Sequence, residues 1–133
     1  MSDYPFLKLK KGKEISLKYR HPWVFSGAIA TIKGKPGAGD IVLAKDFRGQ
    51  SLALGFFNPR TDIAFRVLTR NCEERITPNF WQGRLSAACK LRQRIINEET
   101  TAYRLINAEG DGFPGLIVDV YGSTLVLSIA LAG

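Results

Sequence analysis

The sequence has few of the residues on which metal sites, disulfide frameworks and nucleophilic active sites depend. Its 133 residues include one histidine, His21, and two cysteines, Cys72 and Cys89. The cysteines have neither CxxC nor Cys/His spacing, so no zinc site and no disulfide framework is predicted, and they favour a reducing cytoplasm. Because no serine triad can be assembled around the one histidine, we predict no catalytic or metal-binding residue.

Long apolar runs are also missing. None approaches the ~18 residues that a membrane-spanning helix requires, so no membrane partner is expected. The first lysine, Lys8, follows rather than precedes the short apolar block near the N-terminus, which is not the order of a secretory signal. The chain is nevertheless 45% hydrophobic and 11% aromatic. That content is sufficient for a core and excludes a disordered chain.

Positive charge is concentrated in the first half of the chain. Residues 1–72 contain 13 lysines and arginines against five acidic residues, a net charge of +8. Residues 73–133 contain six basic and seven acidic residues, a net charge of −1. General solubility would not require this asymmetry. It predicts two domains, 1–72 and 73–133, of which the first meets a polyanion.

The first domain reads as a small β-barrel. A short helix is predicted over residues 13–19, with Ile15 facing inward. Turns recur every 8–12 residues, which is typical of a barrel of short strands. Besides the strand discussed next, alternating patterns predict strands at residues 6–9 and 63–68, and residues 41–44 and 51–57 are also predicted as strands.

Residues 20–29 join the lysine-rich segment to an aromatic and β-branched strand. Residues 23–25 (Trp-Val-Phe) suit a pleated, partly buried strand, expected to run to about Ile32. Two interpretations remain open. The segment is either a core strand with a solvated basic lead-in, or the floor of a nucleic-acid groove with Arg20 and His21 on its lip.

The basic residues of this domain fall in turns or in the short helix, and loops on one rim of a barrel can converge on a phosphate backbone. A solvated basic face is the alternative. Of the aromatic residues that could stack on a base, Trp23 and Phe56 favour a core position, which leaves Phe47. The candidate RNA-binding residues are Lys10, Lys11, Lys18, Arg20, His21, Lys33, Lys35, Lys45 and Arg48.

The second domain begins with a helix predicted from Pro78 to Asn97, with Thr77 as its N-cap. One apolar face of this helix carries Trp81, Leu85, Ala88 and Ile95 at a spacing of 3.6 residues. Arg92 falls within this apolar arc. We expect it to snorkel or to pair with a carboxylate, because an unpaired buried charge is costly.

Three strands are predicted after the helix, at residues 102–109, 116–121 and 124–132. The turn at Gly122-Ser123 makes the last two an antiparallel hairpin. The final strand is too apolar for a free sheet edge. We therefore expect a chain that is cut short or that depends on a partner.

The segment 110–115 (Gly-Asp-Gly-Phe-Pro-Gly) matches the GxGxxG pattern of dinucleotide-binding loops. Such a loop requires a helix directly after it, because the N-terminus of that helix holds the pyrophosphate. Here Pro114 lies inside the loop and residues 116–120 form a predicted strand. No cofactor site is expected in this segment.

Two stretches resemble a known family. Residues 11–14 (Lys-Gly-Lys-Glu) and 20–28 (Arg-His-Pro-Trp-Val-Phe-Ser-Gly-Ala) resemble the PUA domain that opens a family of bacterial 23S rRNA cytosine-5 methyltransferases. Residues 103–119 (Tyr-Arg-Leu-Ile-Asn-Ala-Glu-Gly-Asp-Gly-Phe-Pro-Gly-Leu-Ile-Val-Asp) look like the family's central domain. The two motifs stand in the family's order, and the resemblance spans essentially the whole chain.

The resemblance implies an α+β chain that is mainly β: a PUA-type pseudo-barrel, then a small domain of a helix and antiparallel strands. The PUA domain binds RNA with its short helix and following strand, here residues 13–19 and 20–29. The family's catalytic part is a C-terminal Rossmann-like domain that binds S-adenosylmethionine and uses a late cysteine. Neither Cys72 nor Cys89 matches that cysteine's motif.

We therefore expect an N-terminal rRNA-recognition fragment, truncated before the Rossmann-like methyltransferase domain. By itself it would neither bind S-adenosylmethionine nor methylate RNA, and its partners would be 23S rRNA and the missing catalytic domain. The alternative is a stand-alone PUA-type RNA-binding module whose second domain is accessory or forms a homodimer. A small enzyme acting through His21 and an aspartate has no supporting constellation.

Overall fold

The computed structural model describes residues 4–129. Contacts divide them into two compact units, residues 4–74 and residues 75–129. The first unit consists mainly of strands, and the second combines one helix with three strands, as expected. Among these residues, no helix is long and apolar enough to cross a membrane.

The first unit is a single six-stranded sheet with a one-turn helix, α1 (Ile15–Lys18). Its strands follow the order β2-β6-β5-β4-β1-β3. Neighbours are antiparallel except β1 and β4, which run parallel. The strands are β1 (Phe6–Leu9), β2 (Trp23–Phe25), β3 (Ile29–Lys33), β4 (Asp40–Lys45), β5 (Ser51–Phe57) and β6 (Ile63–Thr69).

The sheet must curl, because its two edge strands are consecutive in the chain. Only the 3₁₀ turn Ser26–Ala28 separates β2 from β3. That connection spans at most about 14 Å, whereas the edges of a flat six-stranded sheet would lie about 24 Å apart. The turn is tied to the sheet on both sides: Ser26 N–H donates to the Asp62 carbonyl at 2.8 Å, and Lys10 N–H donates to the Ala28 carbonyl at 2.9 Å. The expected barrel-like curl is thereby confirmed.

Two local predictions in this unit are wrong. The strand expected from Trp23 to Ile32 is interrupted by the 3₁₀ turn, because the chain must cross there from one sheet edge to the other. In α1, Ile15 is 52% exposed, and Leu17 fills the core instead. A single helical turn buries only one residue, and here that residue packs with the fully buried Leu7.

Gly55 in β5 allows close approach of β5 to β6. It lies opposite Val67. A β-carbon at Gly55 would collide with the Arg66 carbonyl oxygen and would lie 2.6 Å from Cζ of Phe65. Phe65 is fully buried, so it has little room to yield.

The second unit contains one helix and a three-stranded antiparallel sheet of order β7-β8-β9. Its core comprises Ala88, Ile106, Phe113 and Val118, with Trp81 stacked on Phe113 at 5.5 Å between ring centroids. The predicted hairpin is confirmed. The elements are α2 (Pro78–Gln93), β7 (Ala102–Asn107), a 3₁₀ turn (Ala108–Asp111), β8 (Leu116–Tyr121) and β9 (Thr124–Ile129).

Two predicted boundaries differ in this unit. The helix ends at Gln93 rather than Asn97, and Ile95 is 73% exposed instead of lying on the apolar face. Leu85, predicted for the same face, is also exposed. β7 ends before the 3₁₀ turn, so it is shorter than the predicted strand. Residues 130–132 of the predicted last strand lie outside the described residues.

Arg92 pairs with a carboxylate, as expected. Its Nη2 lies 2.7 Å from Oδ2 of Asp111, and the two side chains are 15% and 7% exposed. Arg92 Nε also donates to the Arg104 carbonyl at 2.8 Å, and the same Asp111 oxygen accepts the Asn107 N–H at 2.7 Å. The helix is thus bound to β7 and to the 3₁₀ turn that follows it.

Candidate nucleic-acid interface

Helix α1 ends in a Schellman motif with an arginine at the glycine position. Arg20 N–H donates to the Leu17 carbonyl at 3.1 Å, and His21 N–H donates to the Ser16 carbonyl at 2.9 Å. Arg20 has a φ of 67°. This left-handed position is usually glycine, and a residue with a β-carbon pays about 1–2 kcal/mol there. The fold therefore holds an exposed cation where glycine would be easier to accommodate.

A cleft opens beside this motif, between α1 and β2. We call it the Trp23 cleft; its volume is about 280 Å³, and its lining residues are Lys13, Ser16, His21, Trp23, Val24, Phe25 and Ala28. Phe25 is 52% exposed, so its ring is accessible to a ligand. The Nδ1 atom of His21 accepts the Trp23 backbone N–H at 3.3 Å, and the two rings meet edge to face.

Cations surround this cleft. The guanidinium of Arg66 lies 5.5 Å from the centroid of the Trp23 ring. Arg70 donates to the Leu17 carbonyl at 2.6 Å and to the His21 carbonyl at 3.4 Å. Burial, and after it the nearby charge of Arg20, lowers the pKa of Arg70. Positive groups held this close together produce a field that attracts an anion.

A second group of cations lies on the outer face of β1. Leu7 is fully buried, so Phe6 and Lys8 on either side of it face outward. Lys33 lies opposite Phe6 in β3, and Lys45 lies beside Lys8 in β4. The Nζ atom of Lys45 is 4.0 Å from the centroid of the Phe6 ring. Lys35 lines a shallow surface pocket together with Phe6 and Lys33. We call this group the β1 surface; it comprises Phe6, Lys8, Lys33, Lys35 and Lys45.

The β1 surface ends at the exposed ring of Phe47. Because β1 and β4 are parallel, the residues that follow them emerge at the same edge of the sheet. Lys11 and Arg48 emerge there, 5.8 and 5.2 Å from the Phe47 ring centroid. Lys10 follows β1 as well and is exposed.

The nine candidate residues thus lie in two groups within the first unit. Lys18, Arg20 and His21 are exposed at α1 or beside the Trp23 cleft. The other six lie on the β1 surface or at its end. Trp23, expected in the core, is half-buried and lines the cleft.

Four basic residues of these groups did not enter the sequence-based selection. Lys8 could have been found from its alternation with the buried Leu7. Lys13 lies in the predicted helix, and Arg66 alternates with the apolar residues of β6. Arg70 carries no local signal, because its contact with α1 joins residues 53 positions apart.

Residues 7–70 match the family model of the PUA-like domain. The first unit is therefore a PUA-like domain, a curled sheet with its helix beside the edge strand.

The relatives cover both units. The chain is 41% identical over 99% of its length to ribosomal RNA large subunit methyltransferase I of Salmonella schwarzengrund. It is 42% identical over 96% of its length to the protein of that name in Escherichia coli O139:H28. It spans about a third of each, 33% and 32%. The family resemblance seen in the sequence is confirmed: over nearly its whole length the chain is similar to large-subunit rRNA methyltransferases, and it spans about a third of their length.

Two solved structures share the fold. One, from Streptococcus mutans, is described as a SAM-dependent methyltransferase; it superimposes with a TM-score of 0.76 at 18% identity and covers 92% of this chain and 32% of that chain. Another, a methyltransferase complexed with SAH, gives a TM-score of 0.78 at 17% identity over 95% of this chain and 33% of that chain. At these identities the likeness concerns the fold alone.

Proposed function

We propose that the chain binds RNA at the Trp23 cleft and serves as the N-terminal rRNA-recognition part of a SAM-dependent 23S rRNA cytosine-5 methyltransferase. The observation that carries the proposal is the cleft itself: aromatic side chains and several cations meet at the helix and edge strand of a PUA-like domain. The half-exposed ring of Phe25 offers a stacking face for a base, and Lys18 and Arg20 offer charge to phosphates. The other six predicted cations belong to the same proposal as phosphate contacts.

The relatives support the rRNA part of this proposal, since their name specifies the large-subunit ribosomal RNA. Methylation and S-adenosylmethionine would belong to a whole protein that contains this sequence, acting in the cytoplasm. The described residues do not fit that cofactor. The GxGxxG segment leads into β8 instead of a helix, and the Arg84 side chain fills the space beside Gly112. We therefore assign no step of the transfer to this chain.

The test is the affinity of the chain for a short fluorescein-labelled RNA hairpin, measured by fluorescence anisotropy. Replacing Lys18 and Arg20 together by glutamate should weaken binding at least tenfold, because about fivefold is lost at 0.1 M salt for each phosphate contact removed. The matched control replaces Lys90 and Arg94, exposed cations of the second unit, by glutamate. Unchanged affinity of the first variant, or binding that ignores salt concentration, would contradict the proposal.

Occupation of the cleft has a separate readout. The chain has two tryptophans. Replacing Trp81 by phenylalanine leaves Trp23 as the only one, and its emission should change when RNA binds. An RNA complex formed without any change in that emission would place the RNA elsewhere.

A second candidate is a stand-alone RNA-binding module that dimerises through its second unit. The observation that favours it is β9, an edge strand in which Leu125, Leu127 and Ile129 are exposed. An apolar edge of this kind pairs readily with another strand. Light scattering coupled to size-exclusion chromatography distinguishes the candidates, since a monomer at micromolar concentration excludes the dimeric module.

A further inference from the structure

The β1 surface places three lysines on the same face of three neighbouring strands. Lys45 is the direct neighbour of Lys8, whereas Lys33 pairs with Phe6, two residues before Lys8. Adjacent strands are about 4.8 Å apart, so Lys8 and Lys45 are like charges directly beside one another, which destabilises a sheet, and Lys33 is a diagonal neighbour at about 7–8 Å. Such an arrangement is an electrostatic cost to the fold unless something else compensates it.

In the described part of the chain, direct ion pairs do not supply the compensation. Within residues 4–129, none of these three lysines forms an ion pair. Asp46 is buried, and its carboxylate accepts the backbone N–H groups of Arg48 and Gln50, each at 2.9 Å. The Asp40 carboxylate accepts the Gly37 N–H at 2.8 Å. Both nearby carboxylates are therefore engaged in fixing turns.

The same surface extends to the Phe47 ring. The Nζ atom of Lys8 comes within 4.0 Å of the position that a β-carbon on Gly49 would occupy, at the turn that also carries Phe47. Lys11 and Arg48 flank that ring. A continuous band of cations thus follows the outer face of β1, whereas the Trp23 cleft lies between α1 and β2.

The chemistry of this band differs from that of the cleft. The half-buried Phe6 ring contacts Lys45, and the Phe47 ring contacts Lys11 and Arg48. Both rings therefore have cation–π partners within the protein. Lysine ammonium groups act as point charges, which suit phosphates and carry no sequence information.

We propose that the β1 surface is a second RNA-binding site, which takes the sugar-phosphate backbone of the RNA bound at the Trp23 cleft and is indifferent to sequence. This inference rests on the proposed function. It divides the nine predicted residues into a nucleotide-binding group and a backbone-binding group and adds Lys8 to the second group.

The experiment compares how log K depends on log salt concentration between 50 and 200 mM, again with the labelled RNA hairpin. The variant replaces Lys8, Lys33 and Lys45 by glutamine. Each lost phosphate contact should lower the magnitude of the slope by about 0.7–0.9, so the triple variant should lose about 2–3 in slope and about 100-fold in affinity at 0.1 M salt. Changing the same three lysines to arginine keeps the charge and should restore both.

The matched control removes the same net charge from the second unit by replacing Arg75, Lys90 and Arg94, all exposed, with glutamine. Circular dichroism verifies that each variant is folded. A wild-type slope in the triple lysine variant, or an equal loss in the control, would overturn the β1 site. If the β1 site is overturned but the cleft variant Lys18→Glu/Arg20→Glu still loses binding, the proposed function stands. If the unaltered chain shows no salt-dependent binding, both the β1 site and the proposed function fail.

Discussion

Arg20→Gly should stabilise the fold while weakening RNA binding. Arg20 occupies the left-handed position of the Schellman motif that ends α1, with a φ of 67°. Glycine removes the β-carbon clash, worth about 1–2 kcal/mol. Glycine also makes the unfolded chain more flexible, and this opposing effect lowers the stability of the fold by about 0.5–1 kcal/mol. The net gain is about 0.5–1 kcal/mol, and loss of the repulsion between Arg20 and Arg70 acts in the same direction.

For a unit of 60–100 residues, each kcal/mol corresponds to roughly 4–8 °C, so the Tm of the first unit should rise by roughly 2–8 °C. The assay is a thermal melt followed by Trp23 emission in the Trp81→Phe background, which reports the first unit alone. The same protein is then titrated with the RNA hairpin. Loss of one phosphate contact should weaken binding about fivefold at 0.1 M salt.

Arg20→Ala is the matched control, because it removes the same charge and keeps the β-carbon. It should weaken RNA binding as much as glycine does and should not show the gain attributed to relief of backbone strain. A lower Tm for glycine than for alanine would refute the strain argument. Unchanged RNA affinity in both variants would refute the role of Arg20 at the cleft.

Four further outcomes are expected. Gly55→Ala should lower the free energy of unfolding by about 3 kcal/mol in urea, because the new methyl meets backbone and a fully buried ring. Asp111→Asn should cost the second unit about 3 kcal/mol, since its half-buried arginine partner loses its counter-charge; retention of wild-type stability would show that the ion pair is dispensable. The hydrogen bond from Arg104 lowers the pKa of Asp119 below its ordinary value, so this pair stabilises the fold at neutral pH and loses its effect as the pH falls through the lowered pKa; in Arg104→Gln, carboxyl NMR should find that pKa raised. A piece comprising residues 1–72 should unfold cooperatively in urea, and a gradual transition would refute the domain boundary.

Much of the first unit could be predicted because its signals are local. Alternation buries Leu7 and Leu9 in β1, and the glycine at position 49 adopts a φ of 87° in the turn between β4 and β5. The position of the break at Ser26–Ala28 could not be predicted. It depends on which two edges of the sheet meet, and that is settled by the order of all six strands.

Helix α2 shows a different limit of local patterns. Ile95 and Ile96 continue the apolar periodicity, yet both of their amides bond to the Arg92 carbonyl at 3.0 Å, which marks a tightened final turn. Asn97 then starts a new turn with Thr100, whose hydroxyl accepts the Asn97 N–H at 3.0 Å. The apolar periodicity alone therefore predicted too long a helix, because the hydrogen bonds show that the helix ends at Gln93.

For the candidate site, the charge asymmetry was sufficient to identify the first unit as the one that binds RNA in our proposal. It could not predict where the cations of that unit lie relative to one another. Arg20 illustrates the reason: a left-handed φ at a helix end is ordinarily signalled by glycine, and an arginine gives no such signal. Arg70 illustrates a second reason, since its bonds to α1 form only when β6 and α1 pack together.

The turn between the two edge strands of the curled sheet connects the two proposed binding surfaces. The turn Ser26–Ala28 joins the edge strand of the Trp23 cleft to β3, and its last carbonyl accepts the Lys10 N–H at the end of β1. The Trp23 cleft and the β1 surface are therefore joined to each other through this turn, both by the chain itself and by a hydrogen bond. Both surfaces belong to the same compact unit. An RNA bound at one surface is therefore held at a high effective concentration near the other, and the second contact raises the overall affinity. An RNA too short to span them should bind the unaltered chain only as tightly as the triple lysine variant, and titration with hairpins of increasing length would reveal that threshold.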